Sequence, residues 1–133
     1  MKVNREKYEN IIEELERLRE QSREIPVVVE GRNDERALRN LGIEGEIFQM
    51  STGTPFYAFC EEITKDYKDV ILFTDTDSEG QKLAKKFKRE MSQRGVRVND
   101  RFRASLMGKL DTHQVEHLFR RILRLKEQFT KFK

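Results

Sequence analysis

Apolar positions along this chain alternate between helical spacing and short unbroken runs. Tyr8, Ile11, Ile12, Leu15 and Leu18 recur at helical intervals among charges, predicting an amphipathic helix over residues 5–23. Val27, Val28 and Val29 form a β-branched run that reads as a buried strand. Asn33 or Asp34 is placed to cap a short helix carrying Ala37, Leu38 and Leu41, which Gly42 ends. Residues 47–50 read as a second strand. Residues 51–55 read as a turn, with Pro55 in the first turn of a helix that runs to about Lys65. Phe56, Phe59, Cys60 and Ile63 share one side of that helix. Residues 70–73 are the third strand. Ser78 and Gln81 have capping-box spacing at the head of a helix striped by Leu83, Ala84, Phe87 and Met91. Gly95 stops it, and Val96 and Val98 mark a weak fourth strand. Phe102, Leu106 and Leu110 then suggest one helix, and Val115, Leu118, Phe119, Ile122 and Leu125 another.

Strands alternating with helices predict an α/β fold: an open, Rossmann-like parallel sheet of about four strands with helices on its faces. Continuously apolar strands fit a sheet covered on both sides. No repeat and no Gly-, Pro- or Ser-rich linker interrupts the pattern. The expected organisation is an N-terminal amphipathic helix over 1–24, a main domain over 25–124 and a basic helix end over 125–133. The 133 residues suit one domain.

Composition adds limits. Hydrophobic residues are 36% and charged residues 38%, a dense mixed surface of the kind found in proteins from hot environments. The net charge of +3 decides little without its distribution. The lone Cys60 lies among apolar neighbours and reads as a buried, inert thiol. No apolar stretch is long enough for a membrane span, and charged helix follows the first residues where a signal peptide would have its apolar core. A reducing, cytoplasmic setting is therefore expected, with no membrane partner.

The candidate chemistry lies where two apolar runs end. Ile71-Leu72-Phe73-Thr74 leads into Asp75-Thr76-Asp77-Ser78-Glu79-Gly80, and Val27-Val28-Val29 leads into Glu30-Gly31. In an open α/β sheet, ligands bind beyond the C-terminal ends of the strands. Three acids meeting there repel one another unless a divalent cation joins them, and oxygen-only ligands suit Mg²⁺. Asp75 and Asp77 point the same way if the chain stays extended between them. Gly31 and Gly80 leave room for a phosphate backbone, and the helix opening at Ser78 offers free N–H groups to an anion.

Val28-Val29-Glu30-Gly31-Arg32-Asn33-Asp34-Glu35-Arg36-Ala37-Leu38 resembles the first motif of the Toprim family, and Thr74-Asp75-Thr76-Asp77-Ser78-Glu79-Gly80 resembles the second. Toprim is the catalytic fold of topoisomerases, bacterial-type primases, some repair nucleases and a small maturase of ribosomal RNA. The resemblance covers about residues 25–100, with an extension to about 124. It implies that Glu30 is a general acid/base or metal ligand and that Asp75 and Asp77 hold Mg²⁺, with Mn²⁺ as an alternative. A carboxylate beside two others is expected to have a raised pKa. Family members often carry Pro between the aspartates, where this chain has Thr76. Topoisomerases need a nucleophilic tyrosine on a separate domain, and primases need zinc-binding parts that one cysteine cannot build. A small nuclease or maturase-like protein remains, or a subunit that lends its metal site to a larger assembly.

Lys82, Lys85, Lys86 and Arg89 form one helical stripe after the acids, and residues 82–103 hold nine Lys or Arg against two acids. Arg120, Arg121, Arg124, Lys126, Lys131 and Lys133 add basic positions near the C-terminus, with Phe129 and Phe132 between them. With Arg32, the Lys82–Arg89 stripe is the candidate nucleic-acid surface, and the alternative is a plain solvated face. The two phenylalanines either stack on bases or, as is favoured here, pack on the N-terminal helix. His113-Gln114-Val115-Glu116-His117 matches the H-x-x-E-H pattern of a zinc peptidase, against the plainer reading of a surface histidine pair or histidines near the phosphate site. Where Glu116 lies stays open. The leading expectation is Mg²⁺-dependent chemistry on nucleic-acid phosphodiesters, RNA before DNA. The alternative is a non-catalytic Mg²⁺- and RNA-binding module. A homodimer through the N-terminal helix or a ribonucleoprotein partner is the expected assembly.

Overall fold

The computed structural model describes residues 2–130. The elements run α1 (Arg5–Gln21), β1 (Val27–Val29), α2 (Arg32–Asn40), β2 (Ile47–Gln49), α3 (Phe56–Asp66), β3 (Asp69–Leu72), α4 (Ser78–Gln93), β4 (Arg97–Asn99), α5 (Arg101–Lys109), a 3-10 turn (Val115–His117) and α6 (Leu118–Thr130). The four strands form one parallel sheet in the order β2-β1-β3-β4.

Alternation along the strands sorts the core into two layers. Val27, Val29, Ile71 and Phe73 pack with Ile11, Leu15 and Leu18 of α1, Leu38 of α2, Leu106 of α5, and Ile122 and Leu125 of α6. Val28, Val70 and Leu72 face the other way, onto Phe59, Cys60 and Ile63 of α3 and Ala84, Phe87 and Met91 of α4. The expected α/β sheet with both faces covered is what the chain forms.

The apolar face of α1 is taken up by this core, with Ile11, Leu15 and Leu18 fully buried. The surface that the sequence offered to a second copy is therefore covered by the chain itself. On the same helix, buried Glu14 accepts hydrogen bonds from Ser105 Oγ at 2.8 Å and Lys109 Nζ at 3.0 Å, tying α1 to α5. Phe129 stacks on Tyr8 with ring centroids 4.7 Å apart, so it packs on the N-terminal helix as favoured. Phe132, Lys131 and Lys133 lie outside the described residues.

Several element ends differ from expectation by a residue or two. The third strand is Asp69–Leu72, one residue earlier than read, and the chain has left the ladder before the acids. Among the described residues no helix is long and apolar enough to cross a membrane.

Candidate functional site

β1 and β3 are neighbours, with Val28 in register with Leu72, and the chain leaves β1 towards β2 on one side and β3 towards β4 on the other. The seam between β1 and β3 is thus the point where the winding reverses, the usual ligand crevice of such sheets. Glu30 follows β1, and Asp75 and Asp77 follow β3, so the fold delivers all three acids to that seam.

The acids do more local work than their spacing suggested. The residue that caps α4 is Asp77, not Ser78: its Oδ1 accepts the Gly80 N–H at 2.8 Å. Asp75 Oδ1 accepts the Val115 N–H at 2.8 Å, from a segment forty residues later. The chain is therefore not a strand through both aspartates. Each fixes one oxygen on a backbone N–H, and the second oxygen of each has no hydrogen bond among the described residues. Likewise Asn33 and Asp34 do not begin α2. Gly31 occupies the N-cap, and Asp34, inside the first turn, accepts the Gly31 N–H at 3.2 Å.

Gly80 is buried, and a Cβ there would lie 2.0 Å from the Asp75 carbonyl oxygen. Its glycine serves the close approach of α4 to the protein's own Asp75 backbone, in place of the phosphate approach expected of it. Gly31 sits half-buried on the cleft rim, where a Cβ would meet only Ser51 Oγ at 3.3 Å.

An open cleft of about 410 Å³ is lined by Glu30, Gly31, Arg32, Asp34, Asp75 and Glu116, with Asn33 and Ser51. Glu116, left open by the sequence, thus stands beside the Toprim-like acids. None of Glu30, Asp34, Asp75 and Asp77 has an ion-pair partner among the described residues. Burial raises the Glu30 pKa, and the charges of Asp75, Asp77 and Glu79 raise it further. Burial also raises that of Asp75, opposed by the Val115 N–H bond. Asp34 is pushed up to about 6, by burial first, while the Gly31 bond pulls down and Asp75, Glu30 and Glu116 push up.

These are oxygen donors whose like charges go uncompensated, and that donor set fits a hard divalent cation. Among the described residues, however, no three His, Cys, Asp or Glu side chains stand close enough together to hold an ion as placed. The acids feel one another electrostatically but have not drawn their oxygens together.

The H-x-x-E-H stretch is not a helical zinc pair. His113 lies in a loop, with its Nδ1 2.9 Å from Thr76 Oγ1 and its carbonyl accepting the Thr76 N–H at 2.9 Å. His117 ends a 3-10 turn with its Nε2 3.9 Å from Glu116 Oε1. The segment acts as a strap across Thr76, between the two aspartates.

Arg103, counted in the sequence only among the basic positions of residues 82–103, has an inward role instead. Only 3% exposed, it donates from Nε to the Thr74 carbonyl at 2.8 Å and from an Nη to the Asp75 carbonyl at 3.0 Å and to Gln81 Oε1 at 2.7 Å. It holds the acid-bearing loop from beneath. The signal was an arginine flanked by the apolar positions Phe102, Leu106 and Met107 of one short helix. The α4 cations do not line the cleft. Lys82, Lys85, Lys86 and Arg89 are exposed, Lys82 is 3.9 Å from Glu79, and Lys86 lies over the Phe56 ring at 4.3 Å from its centroid.

Comparison with known proteins agrees with this geometry. A family model described as the Toprim domain matches residues 26–106, from the last residue before β1 into α5. Toprim domains generally bind divalent metal ions, usually Mg²⁺, and are associated with nucleic acids. The UPF0292 protein of Methanocaldococcus jannaschii is 39% identical over 99 residues, covering 74% of this chain and 77% of its own. That of Pyrococcus horikoshii is 32% identical over 129 residues, covering 95% and 92%. A solved structure of a protein from Aquifex aeolicus superposes with a TM-score of 0.72 at 28% identity, over 80% of this chain and 95% of that one. A sheet that reverses its winding between Glu30 and Asp75, matched along most of its length by this profile and these relatives, belongs to the Toprim domain family and, within it, to the UPF0292 proteins.

Proposed function

We propose that this protein is a Mg²⁺-dependent nuclease of Toprim type, acting on phosphodiester bonds of structured RNA. The observation that carries the reading is the uncompensated acid cluster at the β1–β3 seam, where partial burial and acidic neighbours raise the Glu30 pKa. Glu30, Asp75 and Asp77 would hold the ion, with Mn²⁺ as a substitute. A divalent ion bound there would supply polarisation of the phosphate and stabilisation of charge on the attacking or leaving oxygen. Glu30, exposed at the cleft, would exchange a proton with that oxygen where it does not itself ligate the ion, the role to which a raised pKa suits a carboxyl. Asp75 and Asp77 each keep one oxygen on a backbone N–H, which leaves the other without a hydrogen bond among the described residues. Arg103 and the Val115–Asp75 bond hold the loop that presents them. RNA is favoured by the compact build shared with the maturase-like branch of the family, which is analogy with that branch.

A second reading has its own observation. Because the oxygens are not gathered as placed, the domain could hold Mg²⁺ and RNA without cutting, as a subunit of a larger assembly. Single-turnover incubation of cellular RNA with Mg²⁺ separates the two. Cleavage by the wild type that is lost in Asp75→Ala supports the nuclease; binding without cleavage by both leaves the binding module.

A further inference from the structure

The acid cleft is not closed on its α2 side. Through Asn33 and Glu116 it continues into a second depression of about 370 Å³ between α2 and α6, lined by Arg36, Asn40, Phe119 and Arg120. Arg32 and Arg36 sit one helical turn apart on α2, and Arg120 comes from the first turn of α6. All three are exposed, and none makes an ion pair among the described residues. The α4 stripe lines neither depression, and two of its cations already face Glu79 and Phe56.

The charge pattern has a direct consequence. A polyanion that reaches Glu30, Asp34, Asp75 and Glu116 is repelled there unless cations hold it on either side. Arginine suits that task, because its planar fork grips phosphate through two parallel hydrogen bonds. The side-chain amides of Asn33 and Asn40 add donors along the same wall. We infer that the α2–α6 depression is a phosphate-binding subsite, in which Arg36 and Arg120 grip the backbone of a single-stranded segment of the nucleic acid beside the phosphate held at the acids. This inference rests on the nucleic-acid reading above and names the path of the strand: over α2 and α6, away from α4.

The test compares two double variants that remove equal charge, Arg36→Gln/Arg120→Gln and Lys85→Gln/Arg89→Gln. Their affinities for a short fluorescein-labelled single-stranded RNA, and for DNA of the same sequence, are read by anisotropy across a salt series in EDTA. Loss of two phosphate contacts should lower the slope of log K against log salt by about 1.4, at ~0.7 per contact on a single strand. The expected result is that fall, with about tenfold weaker binding in moderate salt, for Arg36→Gln/Arg120→Gln on RNA and DNA alike, and a smaller effect from the α4 pair. Equal losses from the two pairs, a larger loss from the α4 pair, or a loss on only one nucleic acid would overturn the inference. Crosslinking of 4-thiouridine RNA to the wild type gives a check independent of variant folding: adducts on α2 and α6 peptides support the subsite, and adducts confined to α4 sink it. If the wild type binds neither nucleic acid, the functional reading itself falls. If it binds and Asp75→Ala stops cleavage while Arg36→Gln/Arg120→Gln binds normally, only the subsite falls.

Discussion

Asp34 shows how a single carboxyl reports on the site. Its pKa of about 6 stands above the ordinary 3.8, chiefly through burial. The folded chain therefore keeps this proton where the unfolded chain has lost it. The stabilising contribution is complete below about pH 4 and is lost as pH rises through 6. In EDTA, the melting temperature of Asp34→Asn minus that of wild type should grow between pH 4 and 6 and then level, measured by calorimetry. A difference that shrinks with pH would contradict the assignment. The amide keeps an acceptor for the Gly31 N–H, so the cap survives the change. In the sequence Asn33 or Asp34 reads as a cap, because a cap and a cleft acid are spelled alike. Only the packing of α2 against the Val115–His117 turn tells them apart. Cys60 is the opposite case. Its apolar neighbours were plain in the sequence, and burial pushes its thiol up to about 11. It should resist a disulfide reagent at pH 8 in the native protein and react at once in denaturant.

At the scale of elements, the β3–α4 junction depends on two residues that do not touch the cleft. Alanine at position 80 would place its Cβ 2.0 Å from the Asp75 carbonyl oxygen, so α4 or the acid loop must shift. Gly80→Ala should destabilise by at least about 2 kcal/mol, read from the urea midpoint. Arg103→Met removes the donors to two loop carbonyls and should cost about 3 kcal/mol. Mn²⁺ binding should weaken in the folded Arg103→Lys, which keeps the charge and loses the fork. Unchanged Mn²⁺ affinity there would show that Arg103 is structural only. Strand and helix order was legible here because apolar periodicity is a local signal. The end of β3 and the cap of α4 were not, since Asp75 bonds to Val115 and Thr76 to His113, and no window along the chain contains both partners.

For the whole molecule, the stretch that resembles Toprim domains is not a complete core. Residues 26–106 hold the sheet and the acids, but α1 and α6 supply Ile11, Leu15, Leu18, Ile122 and Leu125 to one of the two apolar layers. A fragment of residues 25–124 would expose the face that α1 covers. It should show no cooperative thermal transition by circular dichroism, whereas the full chain should. The helical spacing of Tyr8 to Leu18 made the apolar stripe evident, but not its partner. That partner includes α5, where Ser105 and Lys109 meet Glu14.

The Tyr8–Phe129 stack brings the beginning of α1 and the end of α6 side by side, so the polypeptide describes an almost closed ring. Joining those two helices by a short flexible bridge should do little violence to the architecture. New ends could then be opened at Gly53, which is exposed, has a φ of +88° and has no neighbour within 4 Å of an added Cβ. Such a circular permutant is expected to melt within a few degrees of its parent. It would also carry its free ends beside β2, leaving the α2–α6 flank unencumbered for attachment of a spectroscopic label.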